Sequence, residues 1–180
     1  ALSQVQEGRD IQIMFGIGGE HDLSERELPH LSGWRDSRPV RVGNNAWSQR
    51  QVDVYGELLD AAFRMKDYLK KTDAVTRHFM AEMADVAAER WRIKDQGIWE
   101  IRGPAQDFVY SKIMCWVALD RAIALADLLE ASDRVPYWRE VRTQIKDTVL
   151  NQGWNESIGA FTQTFENKAL DASNLMIPIV

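Results

Sequence analysis

The run Gly97-Ile98-Trp99-Glu100-Ile101-Arg102-Gly103 places a carboxylate directly after an indole and two residues before a guanidinium. An acid packed against an indole is partly desolvated, which is the setting a general acid needs. Spacing alone favours a plainer arrangement, an exposed Glu–Arg pair on a surface loop. The other chemistry-bearing residues are less well placed. His21, His30 and His78 lack ligand spacing, so no metal site is expected. Gly16, Gly18 and Gly19 form a glycine-rich stretch, but no helix follows and no lysine is set for phosphate. Ser111 lies outside a nucleophile-elbow context. Cys115 falls inside an apolar helical pattern and reads as a small core residue. It is the one cysteine of the chain, which excludes an internal disulfide and a cysteine-built zinc site.

The elements that must position Glu100 follow from periodicity. Residues 11–17 alternate partially and predict a short strand ending at the glycines. Residues 20–43 are polar, with Pro29, Gly33, Pro39 and Gly43, and predict a long loop with a helical turn at Ser24–Leu28. With Asn44 or Asn45 as candidate N-cap, the spacing of Trp47, Gln51, Val54, Leu58, Ala62 and Phe63 predicts a helix over 45–70. A second helix is expected over 73–93, capped by Asp73. A third, over 108–131, is apolar on more than one face and should be the most deeply buried. A fourth covers 136–151, with Pro136 at its start. Gly153–Phe165 reads as a loop or hairpin, and Asp171 opens a last helix. The long loops 20–43, 94–107 and 152–169 fall at every second connection. In a ring of helical hairpins, such loops share one end and mark a mouth.

The balance of 22 Lys and Arg against 27 Asp and Glu gives a net charge of -5 in 180 residues. A negative chain is a poor ligand for nucleic acid or an anionic membrane. No apolar run approaches the roughly 20 residues of a membrane helix, and ALSQVQEGRD lacks the pattern of a signal peptide. Seven tryptophans are many for this length, and an aromatic-rich acidic domain suggests a flat, hydroxyl-bearing ligand such as a sugar. For any single Trp, a place in a helical core is the plainer reading. The apolar C-terminal stretch LDASNLMIPIV suggests a segment of a longer protein.

The run IWEIRG followed by FVYSKIMCWVALDRAIALA resembles glycoside hydrolase family 15, the glucoamylase, glucodextranase and trehalase-like glycosidases. IQIMFGIGGEHDLSERELPHLSGWRDSRPVRVGN, QVDVYGELLDA, GAFTQTF and ALDASNLMIPIV match further family stretches in order, with Phe15 and Gly18 departing from its Tyr and Asp. The resemblance covers nearly the whole chain. It implies an all-α fold, one incomplete domain over 1–180 belonging to an (α/α)6 toroid. It also implies an inverting, exo-acting α-glucosidase on glucans, oligosaccharides or trehalose. Glu100 would be the general acid and the general base would lie beyond residue 180. Trp99 would border the sugar. Arg102 would hold the loop or a neighbouring carboxylate. Arg38 is either a ligand for sugar hydroxyls or the partner in a loop-fixing ion pair. Trp34 is a candidate stacking wall, and Lys112 a partner for a substrate hydroxyl, for Glu100 or for a buried ion pair. No cofactor is implied. The expected partners are the sugar substrate, the rest of the parent chain and other copies of the chain, through apolar faces such as Ile113, Trp116 and Leu175–Ile179. Likeness to the intracellular bacterial members suggests the cytoplasm. The alternative is a helical scaffold or regulatory domain that keeps the fold without the chemistry.

Overall fold

The computed structural model describes residues 11–180. Residues 1–10, on which the signal-peptide reading rests, lie outside the described residues. Five α-helices dominate: α1 (Val54–Arg64), α2 (Lys66–Leu69), α3 (Ala74–Arg90), α4 (Val109–Leu125) and α5 (Val135–Thr148). Two small antiparallel hairpins accompany them. Strand β1 (Arg26–Glu27) pairs with β2 (Arg41–Val42), and β3 (Trp154–Asn155) pairs with β4 (Ala160–Phe161). No helix among the described residues is long and apolar enough to cross a membrane.

Helix α4 is the centre of the fold, packed against α1, α3 and α5. Its apolar residues cover most of its circumference, and residues 109–115 are buried without a break. The expectation that this helix lies deepest therefore holds. Its approach to α1 depends on a glycine. A Cβ at Gly56 would stand 2.1 Å from the Met114 carbonyl oxygen, so only glycine lets the two backbones cross so closely.

The start signals work as their chemistry requires. Asp73 accepts from the Thr76 amide at 2.7 Å and caps α3. Pro136 stands in the first turn of α5. Asn44 accepts from the Ala46 amide, but the helix it opens is a 3-10 turn over Asn45–Ser48. The expected single helix over 45–70 is thus broken into that turn, α1 and α2. Gln49–Gln51 interrupt it by running beside the 95–106 segment, where the Arg50 and Gln96 backbones bond to each other's residues. Residues 11–17 form no strand, because no second strand among the described residues pairs with them; Gly16 and Glu20 close a backbone turn instead. The helical turn expected at Ser24–Leu28 is replaced by β1, whose partner β2 lies in the same loop. Asp171 does cap the last helical segment, which is a 3-10 turn over Ala172–Met176.

The three long loops meet. Loop 94–107 joins the first through Arg102 and Glu25, and the third through Lys94 and Glu166. Phe108 pairs with Thr164 in a bridge, and the amide of Val109, at the uncapped start of α4, donates to the Gln163 carbonyl.

Candidate active site

Glu100 sits near the tip of a loop whose neck is a backbone pair, Asp95 with Gln106. The loop turns at Gly97, with φ 69°, where a Cβ would press on the Phe108 ring at 2.9 Å. Glu100 itself is left-handed, with φ 52°. A side-chain-bearing residue in that region costs on the order of 1 kcal/mol or more and persists where its surroundings enforce it. Those surroundings are visible. The Glu100 amide donates to the Gly97 carbonyl at 3.3 Å, and the Gln49 amide group donates to the Glu100 and Ile101 carbonyls.

The Glu100 carboxylate is half-buried and accepts one hydrogen bond, from Asn44 Nδ2 at 3.2 Å. Asn44 cannot turn its amide round without loss, because its Oδ1 is already taken by the Ala46 amide at 3.0 Å. The cap of the 3-10 turn therefore fixes which atom faces the acid.

Trp99 stands beside it, 57% exposed, with its indole N–H donated to Asp171 Oδ1 at 2.8 Å. Burial raises the Asp171 carboxyl, but hydrogen bonds from Trp99, Ser173 and Gln163 outweigh it and hold the group below its ordinary range. Asp171 is thus an ionised anchor that orients an exposed ring. Arg102 bonds Glu25 Oε2 at 2.7 Å, and Arg41 Nε meets the other oxygen of Glu25 at 3.2 Å. The Arg102 guanidinium holds the Glu25 carboxyl below the usual range. Arg102 accordingly fastens the acid's loop to the β1–β2 hairpin.

The remaining candidates are placed apart from these contacts. Trp34 and Arg38 belong to the connection between β1 and β2 and are exposed. The Arg35 guanidinium stacks 4.4 Å over the Trp34 ring. Arg38 lines a pocket of about 350 Å³ with Glu27, Leu31 and Val40. Lys112 is 1% exposed, donates to the Ile93 carbonyl at 2.7 Å and pairs with Asp107 at 3.0 Å. Its ammonium is committed to that buried ion pair and carbonyl, with no bond to Glu100. The sequence reading missed Asn44 and Gln49 as partners of the acid, and Asp171 as the partner of Trp99. Asn44 and Asp171 carried local signals as caps, but their second contacts cross 56 and 72 residues of sequence, respectively.

Comparison with known proteins places the chain in a family. Among curated relatives, the trehalase of Mycobacterium tuberculosis is 41% identical over 95% of this chain and 25% of its own length. The trehalase of Mycolicibacterium smegmatis is 42% identical over 94% of this chain and 25% of its own. That of Thermoplasma volcanium is 32% identical over 99% and 29%. The chain thus spans about a quarter of the length of these relatives. No solved structure matches the chain significantly. The model of glycosyl hydrolases family 15 matches residues 2–180, and with these relatives that match establishes that the chain belongs to this family.

Proposed function

We propose that this chain is the acid-bearing part of a glycoside hydrolase that cleaves trehalose, within an (α/α)6 toroid. The observation that carries the reading is Glu100: a half-buried carboxylate in a left-handed backbone conformation, tied by Asn44 and Gln49 and flanked by an exposed, anchored indole. Backbone strain at a tethered acid fits a positioned proton donor. The substrate is inferred from the relatives, which are named trehalases.

In this reading Glu100 protonates the glycosidic oxygen as the bond to the anomeric carbon breaks. A second carboxylate, supplied from another part of the enzyme, removes a proton from water as it attacks the opposite face. Inversion requires the two carboxyl groups about 6.5–9.5 Å apart, so that the water fits between them. Trp99 forms an apolar wall for a sugar ring. Arg102 holds the loop through Glu25. Trp34 and Arg38 offer a stacking face and a hydroxyl ligand further along the same loop cluster.

The test is Glu100→Gln in the full-length enzyme. The amide keeps the shape and cannot deliver a proton, so kcat on trehalose should fall by about 10²–10⁴-fold. Near wild-type turnover would contradict the assignment.

A further inference from the structure

Asp95 is 0% exposed, and both its backbone and its carboxylate act at the neck of the acid's loop. Its amide donates to the Gln106 carbonyl at 3.0 Å, and the Gln106 amide returns a bond to the Asp95 carbonyl at 2.9 Å. Its carboxylate accepts from the Val52 amide at 3.0 Å. One residue thus closes the neck of the loop and ties it to the turn that enters α1. Gln96 continues the seam: its amide donates to the Arg50 carbonyl, and its side chain accepts from the Arg50 amide at 3.0 Å. That seam runs into Gln49 and Asn44, the residues that hold Glu100.

A carboxylate is an expensive choice for this place. Burial pushes the Asp95 carboxyl up, against the Val52 amide and the Lys112 ammonium, which favour its charge. Asp53, 4% exposed, lies close enough for Asp95 to raise it further. Oδ1 of each carboxylate is buried without a hydrogen-bond partner. Two buried acids side by side carry a folding cost that an apolar pair would avoid. A cost kept at the root of a strained loop points to what the loop carries.

We propose that Asp95 is a positioning residue for Glu100, its carboxylate tying the neck of the loop to the Val52 amide so that the acid meets the glycosidic oxygen. The inference rests on Glu100 being the general acid. In the Asp95→Ala enzyme the Val52 amide loses its acceptor and the loop relaxes. A displacement of about 1 Å at the acid costs about 100-fold in rate.

The experiment uses full-length wild type, Asp95→Ala, Asp95→Asn and Glu100→Gln. Each is assayed on trehalose and on α-glucosyl fluoride, whose leaving group departs with little need of a proton. Asp95→Ala should lose about 100-fold in kcat on trehalose and less than about tenfold on the fluoride, with KM changed only about threefold. Asp95→Asn keeps one acceptor oxygen and should fall between Asp95→Ala and wild type with the same selectivity. If Asp95→Ala does not fold, Asp95→Asn decides on that criterion. Equal losses on both substrates, or unchanged kinetics, overturn the positioning role. Glu100→Gln separates the two claims. If it is selective for the fluoride and the Asp95 variants are not, only the Asp95 role falls. If it is not selective, both claims fall.

Discussion

Asn44 shows how a single side chain couples structure to chemistry. Its Oδ1 caps a helical turn while its Nδ2 faces Glu100. Asn44→Asp keeps the capping oxygen and replaces the donor with an anion. The new carboxylate cannot donate as Nδ2 does, so Glu100 loses its tether. The expected outcome is a fall in kcat of about tenfold or more with Tm nearly unchanged, since caps are equally served by Asn and Asp. Kinetics and thermal melts of the full-length variant check this. The adjacent indole and guanidinium singled Glu100 out in the sequence, but spacing alone favoured a plain surface pair, and the family resemblance supplied the acid role. The partners of Glu100 were not legible. Asn44 and Gln49 reach it across 56 and 51 residues, and no local pattern encodes such a meeting. Lys112 was legible only as a cation in an apolar helix; its commitment to Asp107 and Ile93 is a tertiary fact.

At the scale of elements, helix signals were read most reliably where periodicity and a start signal agree, as with the Asp73 cap of α3 and Pro136 in the first turn of α5. The predicted 45–70 helix failed at Gln49–Gln51, where bonds to the 95–106 loop outcompete helix continuation. The hairpin of β1 and β2 was hidden because each strand has only two residues. The close crossing of α1 and α4 is a sharper case. Gly56 sits in a helix, where glycine is normally unfavourable, because Met114 leaves no room for Cβ. Gly56→Ala should raise local propensity yet destabilise by about 1–3 kcal/mol through forced separation of the helices. Chemical denaturation should show a lower midpoint with an unchanged slope.

The entry to α1 also sets a pH dependence. Burial, then the neighbouring Asp95, pushes the Asp53 carboxyl up to about 7. In the unfolded chain the group titrates near 3.9. The folded state therefore holds the proton more tightly. The penalty for a buried charge is fully present above about pH 7 and is relieved as pH falls toward 4. Asp53→Asn removes that penalty. Its Tm should exceed wild type at pH 8, and the difference should shrink toward pH 5. A difference independent of pH would contradict the shift.

On the whole-molecule scale, the meeting of the three long loops was legible, because hairpin parity predicts a shared end. The tethers that fix it, Arg102–Glu25 and Lys94–Glu166, were not. Of the apolar faces expected to lack partners, Leu175 and Ile179 are exposed, whereas Ile113 is buried and, with Trp116, Ile177 and Val180, lines an apolar groove of about 250 Å³ between α4, α5 and the C-terminal turn. The proposed inversion is likewise a property of the whole enzyme, since two carboxylates must flank one bond. Trehalose joins two α-glucosyl units, so inversion releases one β-glucose and one α-glucose at first. Proton NMR at early times should show equal amounts of the two anomers. α-Glucose alone would indicate retention.

The most direct test of the central claim is the ratio of kcat for Glu100→Gln to wild type, measured on trehalose and on α-glucosyl fluoride. If Glu100 is the general acid, the ratio collapses on trehalose, by about 10²–10⁴-fold, and stays within about tenfold of unity on the fluoride. Equal ratios on the two substrates would show that Glu100 delivers no proton to the leaving group.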